Sequence, residues 1–160
     1  MINQYNRKLA SDYAIRWALA RNPKFYAFDN IGGDCTNYIS QCLLAGGGVM
    51  DYNKYFGWYY ESQHNRSPSW TSVKFLQKFL LENKTKGPFA KVENINNLQI
   101  GDLIQLKQTY VNDYNHTLFI SNIINGQLYV CAHNDDSKNR PFSSYNYISA
   151  MGLHIEGIYI

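Results

Sequence analysis

Gly32-Gly33-Asp34-Cys35-Thr36-Asn37-Tyr38-Ile39-Ser40-Gln41-Cys42 brings a cysteine to the first turn of an amphipathic helix. A thiol at that place faces unpaired backbone N–H groups and the positive end of the helix dipole, which favour thiolate over thiol. The thiolate is the nucleophilic form, so Cys35 reads as a presented nucleophile. Such a group needs a base to shuttle its proton and a third group to orient the base. His116 and His133 supply imidazoles, and Asn134 stands beside the second. Asp34 reads as the N-cap, accepting a backbone N–H from Thr36 or Asn37. The plainer reading of Cys35 is a buried structural thiol. The Gly-Gly-Asp lead-in and the helix-start position favour the nucleophile.

The elements that must position these groups follow from periodicity. Residues 3–21 predict a first helix with Tyr5, Leu9, Tyr13, Ile15 and Trp17 on its apolar face, ended by Asn22-Pro23. The second helix runs from Cys35 to Ala45, where Gly46-Gly47-Gly48 stops it. Residues 49–68, dense in Tyr, Asn and Gly, predict a long loop. Ser69 caps a third helix to about Asn83, with Trp70, Val73, Leu76, Phe79 and Leu80 at helical spacing. The remainder reads as sheet: a Gly101-Asp102 turn into a strand, a hairpin of Thr117–Ile124 and Gln127–Ala132 around Asn125-Gly126, and a last strand from Leu153 to Ile160. Helices first and an antiparallel sheet second is an α+β order. The hairpin sets His116 and His133 at one edge of the sheet, within hydrogen-bonding range of each other. A helix N-terminus docked at that edge would deliver Cys35 to the pair.

Composition limits the function classes. The 160 residues suit one domain, 1–160, and 45% hydrophobic residues suffice for a core. Aromatic residues reach 16%, with 14 tyrosines, against 17% charged residues, which excludes a disordered chain and suits an aromatic-lined surface for sugar or peptide. A net charge of +3, scattered along the chain, is no nucleic-acid footprint. No run of about 18 apolar residues could span a membrane, and no apolar stretch near Met1 marks a secretory signal. Of the three cysteines, Cys35 and Cys42 lie seven residues apart on one helix, roughly 10 Å along its axis. They cannot bridge, and Cys42 reads as a small buried hydrophobe. A zinc site from Cys35, His116 and His133, or from Cys131 with His133, is a second reading. No paired Cys-x-x-Cys or His-Glu-x-x-His spacing supports it, so no metal or cofactor is expected.

The order of these segments resembles the papain-like amidohydrolases, which include the bacterial NlpC/P60 and CHAP cell-wall enzymes. Closer still, Gly32 to Leu43 with Ala45-Gly46-Gly47, the stretch around His116, and Ala132 to Ser144 resemble the "putative amidase domain" family across nearly the whole chain. The resemblance implies a papain-like fold, N-terminal helices packed on a C-terminal antiparallel sheet. It makes Cys35 the nucleophile, His116 the base and His133 the third member that orients His116, with neighbouring Asn134 as its rival. The Cys35 N–H then helps form the oxyanion hole, with Gln4 or Tyr26 as candidates for the second donor. Asp34, Trp58, Tyr59, Asp135 and Arg140 are candidate substrate contacts: the two aromatics as cleft lining, and Arg140 as the grip on a carboxylate, against the plainer reading of 135–140 as a turn. His64 and His154 are expected to be an exposed side chain and a satisfied strand residue. The implied substrate is a peptide or a peptidoglycan stem peptide, and the implied place is the bacterial envelope or outside the cell, with the cytoplasm also compatible. A catalytically silent binding module on the same fold is the alternative.

Overall fold

The computed structural model describes residues 1–110 and 113–160. In chain order the elements are β1 (Ile2–Asn3), α1 (Arg7–Trp17), α2 (Cys35–Ala45), β2 (Tyr60–Ser62), β3 (Asn65–Arg66), α3 (Pro68–Thr71), α4 (Val73–Glu82), β4 (Gly87–Glu93), β5 (Leu103–Lys107), β6 (His116–Ile124), β7 (Gln127–Ala132), β8 (Ser137–Pro141) and β9 (Ser149–Tyr159). The fold is α+β. An antiparallel sheet runs β1-β9-β5-β6-β7-β8, and β4 pairs along the other side of β9. No helix among the described residues is long and apolar enough to cross a membrane.

The helices gather on one face of the sheet around α2. Every residue of α2 from Cys35 to Leu43 is buried, as expected of a helix enclosed on all sides. The first helix is shorter than the sequence predicts, because Ile2–Asn3 pairs with Tyr159 and Ile158 and Asn6 caps at the Leu9 N–H. Its buried stripe is Ala10 and Ala14, continued by Ala18 beyond its end, rather than the larger residues; Leu9 lies exposed. Small side chains at this spacing let α1 approach α2 closely, and Tyr38 Oη donates to the Ala14 carbonyl at 2.6 Å.

Two further expectations are corrected. The predicted third helix is two, α3 and α4, broken at Ser72, whose hydroxyl accepts the Phe75 N–H. Residues 49–68 are not an open loop: Asp51 bridges Trp58 and a small β2–β3 hairpin follows. That segment drives Trp58 into the core, where it meets Trp70 at 4.8 Å between ring centroids and donates from Nε1 to Ser40 Oγ.

A second, smaller core lies on the opposite face of the sheet. Ile104, Leu106, Leu118, Ile120, Val130 and Ala132 are covered there by Leu98 and Tyr145. The Gly101-Asp102 turn ties this sheet to α1. Buried Asp102 accepts from Arg7 Nη1 at 2.8 Å and from the backbone N–H groups of Gln99 and Ile155, with His154 Nδ1 2.9 Å away.

Candidate functional site

The start of α2 docks against the first residues of β6. Thr36 Oγ1 lies 3.3 Å from Thr117 Oγ1, and the Thr117 backbone N–H is aimed at the Cys35 sulfur. The start of α2 thus docks at the sheet end the sequence pointed to, but against Thr117 and not against the histidine pair. Two left-handed glycines, Gly32 and Gly33, turn the chain into the helix. At Gly33 a Cβ would sit 2.3 Å from Asn134 Nδ2, so only glycine permits this approach.

Cys35 is 5% exposed. Burial pushes its thiol above the ordinary cysteine range, against the lowering effect of the Thr36 hydroxyl and the Thr117 N–H. The expectation of a resting thiolate is thereby corrected: removal of water from a charged sulfur outweighs the favourable helix end. Asp34 occupies the N-cap position but its side chain does not cap the helix. Its Oδ1 instead accepts the Phe28 N–H and Asn37 Nδ2, and its Oδ2 meets His133 Nδ1 at 2.5 Å. Buried in this way, it braces the Cys35 turn and is not a substrate contact.

The two histidines part company. His116 pairs with Leu106 across β5, whereas Thr117 pairs with Gln105, whose amide reaches the Val73 carbonyl in the first turn of α4. Side chains alternate along a strand, so Thr117 faces the helices and His116 the second core. On the other side, Phe119 pairs with Cys131. Carried toward the strand start, that register sets Thr117 against His133 and His116 against Asn134. His133 accordingly sits on the helical face, stacked on Tyr38 at 4.0 Å, with Nδ1 on Asp34 and Nε2 2.7 Å from the Trp17 carbonyl. Both ring nitrogens are engaged away from His116. The expectation that His133 orients His116 is corrected on this ground: the two share an end of the sheet but not a face.

His116 opens instead into a cavity of about 380 Å³, shared with Gln108, Asn115, Asn134, Asp135, Arg140, Tyr145 and Asn146. Cys35 does not line it. Among the described residues the Cys35 sulfur meets Thr36 and the Thr117 backbone and makes no hydrogen bond with the His116 ring, which points to the other face of β6. Burial pushes the His116 imidazole down to about 4; the Arg140 cation pushes the same way, while Asp135 opposes. The ring makes no hydrogen bond among the described residues. Asn134 links the two sides: its Oδ1 accepts the Asp34 N–H at 2.7 Å, while the residue lines the His116 cavity. Asn134 and Asp135 both hold left-handed backbone, at φ 62 and 71. Such strain in non-glycine residues gathers where a chain must aim side chains at a site.

Arg140 and Asp135 fall where the sequence placed them, beside this cavity, paired at 3.3 Å. Trp58 and Tyr59 do not. Both are buried, and neither lines a cavity with His116; Trp58 is core because its indole N–H finds Ser40 inside the helical layer. Tyr26 is spent on packing against Phe28 at 4.9 Å, and its backbone N–H on the Tyr60 hydroxyl. Gln4 is exposed. His64 is exposed and His154 is held by Asp102, as expected. Cys42 is fully buried, also as expected, and all three cysteines are free. The ligands of the zinc reading are not collected, since His116 and His133 face apart, and no three His, Cys, Asp or Glu side chains among the described residues converge as metal ligands would. Gln108, Tyr145 and Asn146 were missed. They come from two loops, after β5 and before β9, with no motif of their own, and only tertiary contact identifies them.

Arg21 closes the segment between α1 and α2 over this region. Its guanidinium meets Asp29 at 2.6 Å and Asp136 at 2.9 Å, and lies 3.6 Å from Asp34.

Among known proteins, an uncharacterized protein of Bacillus subtilis (strain 168), YhbB, is 34% identical over 119 residues. The match takes 73% of this chain and 37% of that protein, so the chain spans little more than a third of its relative's length. No solved structure matches. The family model described as "Putative amidase domain" matches residues 4–156, and the chain belongs to that family.

Proposed function

We propose that this chain is a cysteine amidohydrolase in which Cys35 is the nucleophile and His116 the general base, on a single papain-like domain. The observation that carries the reading is the seating of the Cys35 turn on the first peptide of β6, next to His116. Membership of an amidase family supports hydrolysis of an amide.

In this reading the pair works from its neutral forms. His116, held neutral above about pH 4, takes the Cys35 proton as sulfur attacks the amide carbonyl. The C–N bond breaks as the imidazolium returns that proton to the leaving amine, which leaves a thioester on Cys35. Water, deprotonated by the same imidazole, then releases the acid. In the same reading the Cys35 backbone N–H, at the start of α2, stabilises the oxyanion. Asn134 is the third member we favour, because it lines the cavity with His116 and holds the turn before Cys35. The substrate class we propose is a peptide amide, with peptidoglycan stem peptides as the polymer implied by family resemblance.

The deep burial of Cys35 supports a second reading, a silent module that binds peptide without turning it over. Hydrolysis of peptidoglycan fragments by the wild-type protein and by Cys35→Ala separates the two. We expect the substitution to lower turnover by roughly a thousandfold or more while binding persists. Binding by both proteins with turnover by neither would establish the module and refute the enzyme.

A further inference from the structure

The polar cavity beside His116 carries more than a base. Its wall is built of hydrogen-bond donors around one guanidinium. Arg140 is held in place from three sides: Nε donates to Ser144 Oγ at 2.8 Å, Nη2 to the Ser144 carbonyl at 3.3 Å, and the guanidinium lies over the Tyr145 ring, 3.7 Å from its centroid. What remains for Nη1 is Asp135, at a long 3.3 Å, and that carboxylate is 88% exposed. A long ion pair with one partner in water contributes little, so Asp135 is readily displaced. Tyr145 offers the second observation. Only 8% exposed, it carries a buried hydroxyl that has no hydrogen-bond partner, alone in this respect among the side-chain polar atoms of the described residues. An unsatisfied buried hydroxyl costs about 1–3 kcal/mol, and a functional demand at the site is one reason to retain it. The amides of Gln108, Asn134 and Asn146 complete the lining.

We propose that this cavity is a carboxylate subsite: the amide substrate carries a free carboxylate that Arg140 binds in place of Asp135, with the Tyr145 hydroxyl as a further donor. The proposal rests on the amidohydrolase reading for its meaning, since it names the substrate class of that site, but it concerns binding and is testable without turnover. A fixed guanidinium suits a planar carboxylate, which it can hold through two parallel N–H bonds.

The test uses Cys35→Ala, so that loss of turnover cannot imitate loss of binding. The His116 ring proton resonances are followed by NMR as N-acetyl-alanyl-alanine is added, as L,L and D,D free acids, against the C-terminal amides and inorganic phosphate. We expect saturable shifts of the His116 signals with a free acid. Arg140→Gln should weaken that binding roughly tenfold or more, with Arg140→Lys recovering part of it. Tyr145→Phe should leave the melting temperature unchanged or raised, because it removes an unpartnered hydroxyl, yet weaken the acid. Equal response to acid and amide, equal response to phosphate, or unchanged affinity in Arg140→Gln would each overturn the proposal. Turnover by the wild-type protein is scored separately: binding of the acid without turnover would remove the enzyme and keep the subsite, whereas turnover of acid and amide alike would do the reverse.

Discussion

Thiol and imidazole are both held uncharged at this site, and for the same reason. Each is withdrawn from water, which raises an acid that becomes an anion and lowers a base that becomes a cation. For His116 the Arg140 cation adds to the effect. Replacing Arg140 by Gln should raise the His116 pKa from about 4, while leaving it below the ordinary histidine value because burial remains; Asp135→Asn should lower it. An imidazole titration followed by NMR measures both, and an unchanged value in both variants would show that burial alone sets it. Stability follows. With a folded pKa near 4 and an unfolded one near 6.5, the unfolded chain binds the extra proton as pH falls between those values. The protein should thus be at full stability above pH 6.5 and lose at most about 3 kcal/mol on acidification through this window from His116 alone. His116→Gln should flatten that part of the melting-temperature profile. At this scale the sequence picked out His116 and Arg140, which the structure sets around one cavity, and Cys35, which it sets outside that cavity. Their charge states were not legible, because burial is a property of neighbours.

Among the elements, α2 and the β6–β7 hairpin decide the site, and a strand's alternation governs which histidine can join it. The sequence locates both strands and their turn almost to the residue, yet one step of parity separates His133 from Asn134, and that step puts the former under Tyr38 and the latter beside His116. The connection between α1 and α2 is the other controlling element. Arg21 pins it to Asp136 on the turn that carries Asn134 and Asp135. Arg21→Ala should cost about 1–2 kcal/mol, given the partial exposure of its partners, and should speed alkylation of Cys35 by iodoacetamide as the covering segment loosens. Peptide mapping of the labelled protein measures the rate at each cysteine. A variant that is destabilised but labels Cys35 no faster would show that Arg21 does not cover the thiol.

For the whole molecule the joint between layers is Asp102. It lies fully buried and receives Arg7 from α1, two backbone N–H groups, one from β9, and His154. Asp102→Ala would leave the Arg7 guanidinium without its counter-charge between helix and sheet, and should cost about 3–5 kcal/mol. Chemical denaturation measures it; a loss below about 1 kcal/mol would mean that water replaces the carboxylate. The glycine stop at Gly46, the Asn125-Gly126 hairpin and the α+β order were readable, since each is a local property of a few consecutive residues. The β2–β3 hairpin and the strands Gly87–Glu93 and Ser137–Pro141 were not, because such strands are stabilised by what they pair with.

By itself, the sequence determined that a cysteine starts a helix and that a hairpin brings two histidines to one end of a sheet. Spacing along the chain sets both. Only the tertiary structure decided that those histidines face opposite sides, that burial keeps the thiol protonated, and that Arg140, Tyr145 and Asn134 surround His116. These depend on register, on exclusion of water and on loops far apart in the chain, which no local pattern encodes.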